Sequence, residues 1–127
     1  MGDFHPIPKP KPRRKKKLYN GWKDRPQRMC YYCGTYGADR HEVYGGNPGR
    51  QKSIEMGFQV DLCRKCHSAI HAAATPLWQE RKQYWQRYYQ KEFEDKLIAS
   101  GITPEQARAT WMSPKMIGKN YLDDEVL

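Results

Sequence analysis

The spacing of apolar residues changes period along this chain. In "GFQVDLC", Phe58, Val60 and Leu62 alternate with Gln59 and Asp61, which predicts a strand with one buried face. "RKCHSAIHAAA" then shifts to helical spacing, with Cys66, Ala69/Ile70 and Ala73 able to share a face. From Pro76 onward, Trp78, Trp85, Tyr89, Phe93 and Leu97 recur at spacings of seven or four, an apolar stripe down one long helix. Thr75 is the expected N-cap, Pro76 suits the first turn, and Gly101 is the expected stop. "TPEQ", from Thr103 to Gln106, has the form of a capping box opening a last helix to about Trp111. Upstream, "MCYYCGTYG" brackets a tight turn at Gly34, His41 to Tyr44 reads as a short strand ended by Gly45-Gly46, and "GGNPGRQKS" reads as an irregular loop. The expected order is knuckle, strand, loop, strand, helix, longer helix.

At 127 residues and 38% hydrophobic content, the chain holds one small domain with tails, and burial alone stabilises such a core only marginally. No apolar run is long enough to span a bilayer, and "MGDFHPIPKP" lacks the apolar core of a secretory signal. The expectation is a cytoplasmic protein with no membrane partner. The net charge of +9 is unevenly placed: residues 1–28 hold ten Lys/Arg against two acids, and the rest is nearly balanced. "PIPKPKPRRKKK" favours extended polyproline geometry followed by self-repulsion, so residues 1–20 are expected to be a disordered basic arm. Arg13, Arg14, Lys15, Lys16 and Lys17 make it a candidate for binding a polyanion, above all nucleic acid. The remaining boundaries are expected at 21–74 for a metal-stapled domain, 75–114 for a helical extension, and 115–127 for a flexible acidic tail.

Chemistry enters with "LCRKCHSAIH". Cys30, Cys33, Cys63 and Cys66 form two CxxC arms separated by 29 residues. Two such arms in a chain with no secretory signal point to a closed tetrahedral zinc site rather than disulfides or a redox centre. Four thiolates would fill that zinc, leaving His67 and His71 over. At i and i+4 they project from one helix face and could share a further ion. On spacing alone the plainer reading, two polar helix residues, stands ahead. His41 tips the balance, because pairing of the two strands would bring it alongside that helix.

The run "CYYCGTYGADRHEVYGGNPGRQKSIEMGFQVDLCRKCHSAIH" resembles an HNH endonuclease of the ββα-metal type, particularly the small HNH-like proteins of phages and prophages. The likeness extends to "QKEFE" and covers roughly residues 29–95. It implies an α+β fold: a small ββα-metal domain with a structural zinc held by four cysteines and a C-terminal helical extension. It implies His41 as the general base, His67 and His71 as ligands of a catalytic Mg²⁺ or other divalent metal, and DNA as substrate, cut to 5′-phosphate and 3′-hydroxyl ends. Two positions depart from the pattern. Arg40 stands where many such enzymes place a ligand, so Asp39 becomes the candidate ligand and Arg40 a candidate phosphate clamp. The middle Asn falls where this chain has Gly57-Phe58-Gln59, leaving Gln59, Ser53 and Asn47 as candidates for its role.

Arg50, Lys52, Arg64 and Lys65 flank the expected site and suit phosphate contacts. Trp78, Tyr84, Trp85, Tyr88 and Tyr89 could stack on bases, although their stripe reads first as packing, and the same face is a candidate homodimer surface. His5 has no assigned role. The expected function is a metal-dependent endonuclease acting on DNA, with branched and nicked forms among the candidate substrates. Two alternatives stand beside it. One is a catalytically weakened module of the same fold that binds nucleic acid or protein, and the other is a zinc-ribbon interaction protein.

Overall fold

The computed structural model describes residues 22–122. Arg13, Arg14, Lys15, Lys16 and Lys17 of the expected arm, and the end of the acidic tail, lie outside the described residues. A short 3-10 helix, Trp22–Gln27, leads into the first cysteine knuckle. Then come β1 (Asp39–Glu42), α1 (Asn47–Met56), β2 (Gln59–Leu62), α2 (Arg64–Ala72), α3 (Pro76–Ala99) and α4 (Pro104–Met112). The strands pair antiparallel, with Asp39 opposite Leu62 and His41 opposite Val60. The described residues thus form a small α+β fold of four α-helices and a two-stranded sheet. Among them, no helix is long and apolar enough to cross a membrane.

Two local expectations are corrected. The segment read as an irregular loop is the helix α1. Its Gly, Asn and Pro occupy the helix start, where they do little harm. Gly46 turns the chain at φ +79°, Pro48 sits in the first turn where its missing N–H has no helical partner to lose, and Gly57 closes the helix in the left-handed region at φ +76°. The first strand also lies two residues earlier than His41–Tyr44. Tyr44 leaves the ladder because its N–H donates to Ser53 Oγ (3.1 Å), while that hydroxyl donates back to Tyr44 O (3.3 Å). Ser53, fully buried, pins the exit of β1 onto α1.

The helical part follows the pattern of the sequence. Thr75 caps α3 by accepting from the Trp78 N–H, and Thr103 and Gln106 complete their capping box. Trp85 is buried on the stripe, while Trp78, Tyr89 and Phe93 pack partly covered against the core. Tyr84 and Tyr88 stay exposed. Three side-chain bonds strap α3 across the sheet and knuckle: Tyr44 Oη donates to Gln86 O (2.6 Å), Tyr89 Oη to Gln59 O (2.6 Å), and Trp85 Nε1 to Tyr32 Oη (2.8 Å). Gln90 and Glu94 are buried polar residues on the same helix. Arg108 grips Glu94 with two N–H groups (2.6 and 3.2 Å), and Gln90 bonds Glu94, Asn120 and the Tyr121 N–H. The "QKEFE" segment therefore fastens α4 and the C-terminal strap to α3.

Trp111 lies at the centre, fully buried against Tyr44, Phe58 and Phe93. Trp111→Ala is expected to cost about 3–5 kcal/mol in urea unfolding; a loss under about 1 kcal/mol would mean that α4 does not share the core of the sheet.

Candidate metal centres

The first cluster is built by two tight turns. Gly34, at φ +72°, reverses the chain after Cys33, and the Cys33 N–H points back at Cys30 Sγ (3.3 Å). The second arm repeats this at the start of α2. Cys63 is the N-cap, and its Sγ accepts from the Cys66 N–H (3.5 Å). A bond from the Tyr31 N–H to Asp61 O (2.8 Å) holds one turn beside the other. All four thiols lie within 4.8 Å of one another and none is in a disulfide, so they are close enough to hold a metal such as zinc.

The spacing of the sulfurs suits that donor set. Cys33 Sγ is 3.1 Å from Cys66 Sγ and 3.9 Å from Cys63 Sγ. Tetrahedral Zn–S bonds of about 2.3 Å would set these separations near 3.8 Å. The backbone N–H of Cys66 leads the groups that pull the Cys63 thiol down to about 6, so Cys63 is a ready thiolate at neutral pH. Burial pushes Cys66 the other way, and a bound cation would offset that penalty.

The second cluster joins β1 to α2. His41, His67 and His71 offer nitrogens that all lie within 4.8 Å of one another. His67 and His71 stand one helical turn apart with their Nε2 atoms at 3.1 Å. Two imidazoles on one ion at about 2.1 Å would set their nitrogens about 3.0–3.4 Å apart, so this pair fits a shared cation. His41 meets both rings edge-on, with centroids 5.1 and 4.8 Å away. Only 5% exposed, it has an Nδ1 with no hydrogen-bond partner. Burial, followed by repulsion from His71, His67 and Lys82, pushes His41 down to about 3. Burial and neighbouring charge lower His71 as well. Both rings therefore stay neutral at pH 7.

Asp39 has a different place from the one expected of a ligand. It stands outside the histidine group, and its Oδ2 accepts from His67 Nδ1 (3.1 Å). Arg25 Nε (2.9 Å) and Arg64 Nε (3.3 Å) also reach its carboxylate. Burial raises this carboxyl, but the His67 bond and the two arginines outweigh it and hold it below the usual carboxylate range. Asp39 thus fixes the His67 ring with Nε2 turned toward His71, the orientation a metal-binding histidine needs.

Of the flanking cations, Arg40 and Arg50 meet at one small pocket beside His67, whereas Lys52 turns aside to Glu55 (3.1 Å). Arg25 and Arg28 line that pocket too. In the sequence both merge with the basic arm, and their only signal is a spacing of three just before Cys30. Lys82, whose charge reaches His41 and His71 from α3, carries no signal beyond its helical position. Ser53 is committed to Tyr44, and the Gln59 side-chain amide is buried with no partner for its Nε2. No protein-family model, curated protein or solved structure matches this chain.

Two outcomes follow from this geometry. The folded protein is expected to carry about one equivalent of tightly held zinc, and Cys63→Ser should lose both the metal and the near-UV circular dichroism of the buried tryptophans. A folded, metal-free variant would contradict a stapling role. For His41, the folded ring binds protons far more weakly than the unfolded one. Stability is therefore unaffected above about pH 6.5 and falls as pH drops from there toward 3, where the unfolded state takes up a proton first. Urea midpoints of the zinc-loaded protein with no other divalent cation added should follow that slope, and His41→Gln should flatten it by close to one proton. An unchanged slope would show that His41 is solvated.

Proposed function

We propose that this chain is a metal-dependent endonuclease of the HNH type that hydrolyses DNA phosphodiester bonds. The observation that carries the reading is the convergence of His41 from β1 with His67 and His71 from α2, on a hairpin-and-helix unit closed at one end by four cysteines. The resemblance of residues 29–95 to HNH proteins supplies the reaction class.

In this reading His67 and His71 would hold a divalent cation, with Asp39 fixing the His67 ring. A divalent cation bound there would supply Lewis acidity to the phosphodiester. His41, neutral and held edge-on to both ligand rings, takes the proton from the attacking water. Its low basicity rises when the negative phosphate arrives beside it. Arg40 and Arg50 approach from the Asp39 side and suit phosphate contacts. A zinc at the cysteines would be structural, and the basic arm would add affinity that does not depend on sequence.

A plasmid-nicking assay with Mg²⁺, Mn²⁺ or Ni²⁺ tests the reading. Cleavage should stop in EDTA and fall about 10²–10⁴-fold in His41→Ala. No nicking from a folded, zinc-loaded protein would overturn it.

One observation favours a second reading. The His41 donor nitrogen stands in the same group as the other two, so all three rings suit a single ion. A ligand in that position is no longer free to act as a base, and the protein then binds nucleic acid without cutting it. Calorimetric titration of Ni²⁺ separates the two. His41→Ala leaves Ni²⁺ affinity nearly unchanged if His41 is the base, and weakens it markedly if His41 is a ligand.

A further inference from the structure

Beside His67, on the side opposite the histidine cluster, lies a partly enclosed pocket of about 140 Å³. Four arginines line it: Arg25 of the 3-10 helix, Arg28 just after it, Arg40 of β1 and Arg50 of α1. Its other polar walls are Asp39, Glu42 and His67. Each guanidinium carries five N–H donors and no acceptor, so four of them far exceed what two carboxylates accept.

The existing contacts leave much of that capacity free. Arg28 is the most telling, since its side chain is only 9% exposed. Asp61 Oδ1 lies 3.5 Å from Arg28 Nε, yet neither Nε nor Nη1 has a hydrogen-bond acceptor. Glu42 Oε1 is buried without a donor, and Arg50 Nε stays 3.7 Å from it. The Arg40 guanidinium lines the pocket with no ion-pair or hydrogen-bond partner among the described residues, while its backbone stands in the ladder opposite Asp61. Arg25 and Arg64 both converge on Asp39, which already accepts from His67. The pocket therefore gathers four guanidiniums, from the nearly buried Arg28 to the exposed Arg50, whose N–H donors outnumber the carboxylate oxygens that reach them.

The size narrows the choice of anion. At about 30 Å³ per water-sized atom, the space holds four or five heavy atoms, the size of a phosphate group and too little for a nucleoside. Planar guanidinium forks match tetrahedral phosphate oxygens two at a time. An internal phosphodiester must carry a sugar on each side, whereas a terminal phosphate needs only one exit and brings a second charge.

We propose that this arginine-lined pocket binds the terminal phosphate of a nucleic-acid strand. The identity of the strand rests on the endonuclease reading above; the phosphate chemistry does not. Asp39 links the two sites, because the carboxylate that Arg25 grips in the pocket also orients His67. A strand end seated among the arginines would lie next to the histidine cluster.

The test uses the full zinc-loaded chain with no added divalent cation. Fluorescence anisotropy compares short single strands of one sequence bearing a 5′-phosphate, a 3′-phosphate or only hydroxyl ends. One phosphorylated strand should bind at least about tenfold tighter than the hydroxyl strand, and inorganic phosphate should erase the difference. Arg40→Gln/Arg50→Gln, checked for folding by circular dichroism, should weaken binding of all three strands and erase the difference between them. Equal affinity for all three strands would overturn the proposal, as would a preference that survives the double substitution. His71→Ala, outside the pocket, keeps this inference separate from the catalytic one: it should abolish nicking and leave the end preference intact. An end preference in a protein that never nicks DNA removes the nuclease reading alone, and nicking without an end preference removes the pocket alone.

Discussion

The meeting of two CxxC arms at the first turn of α2 is the constraint on which the rest of the molecule depends. Cys63 serves three purposes at once. Its sulfur belongs to the thiol cluster, the same sulfur caps the helix by accepting from the Cys66 N–H, and its carbonyl accepts from the His67 N–H (2.8 Å). The thiol cluster therefore fixes the rotational phase of the helix as well as its position. A slip of one residue would turn α2 by about 100° and swing His67 and His71 away from β1. The Tyr31 N–H bond to Asp61 O fixes the other arm against the sheet, so hairpin, knuckle and helix share one register.

That register makes a buried His41 tolerable. A histidine 5% exposed on a two-stranded sheet needs a cover that excludes water, and a hairpin alone is too small to supply one. The His67 and His71 rings of α2 cover it, and helix α3 packs against α2. Helix α3 is held by hydroxyl bonds from Tyr44 and Tyr89 and by the Trp85–Tyr32 contact, and it is braced from behind by Gln90, Glu94 and Arg108. The polar interior of α3 is what a purely apolar stripe would lack, since its hydrogen bonds are directional and set one arrangement of α4 and the C-terminal strap. The helical extension is thus part of the site's scaffold, and it also brings Lys82 within electrostatic reach of two of the three histidines.

Regular elements are legible in the sequence wherever periodicity or capping chemistry speaks for itself. Phe58, Val60 and Leu62 are all buried as their alternation requires, and Thr75 and Thr103 cap the helices expected of them. Where Gly and Pro stand at a helix start, the same residues signal both loop and helix, and α1 escapes a sequence reading for that reason. The clustering of the four cysteines and of the three histidines follows from spacing and strand pairing. The place of Asp39 does not, because alternation gives the face of a residue and not which ring nitrogen it meets. The arginine pocket is illegible too, since it draws on four points of the chain that only the fold brings together, and Arg25 and Arg28 are hidden in a run of like charge. The apolar stripe likewise conceals the buried pair Gln90 and Glu94, whose polar side chains hydropathy assigns to the surface.

Two donor sets four residues apart on one helix raise the question of why they would not compete for the same ion. Their chemistry separates them. Four thiolates are soft donors that fill a tetrahedral zinc and leave no position for a reactant. The imidazoles of His67 and His71 give a harder and incomplete set, which would leave positions open on the side where His71 is exposed. The electrostatics point the same way. The backbone N–H groups at the N-terminus of α2 favour thiolate at Cys63, whereas burial and mutual repulsion keep His41 and His71 neutral and so available as donors without loss of a proton. A single short helix therefore carries a donor set that would close over an ion at one end and, one turn further on, a donor set that would leave room for something else to bind.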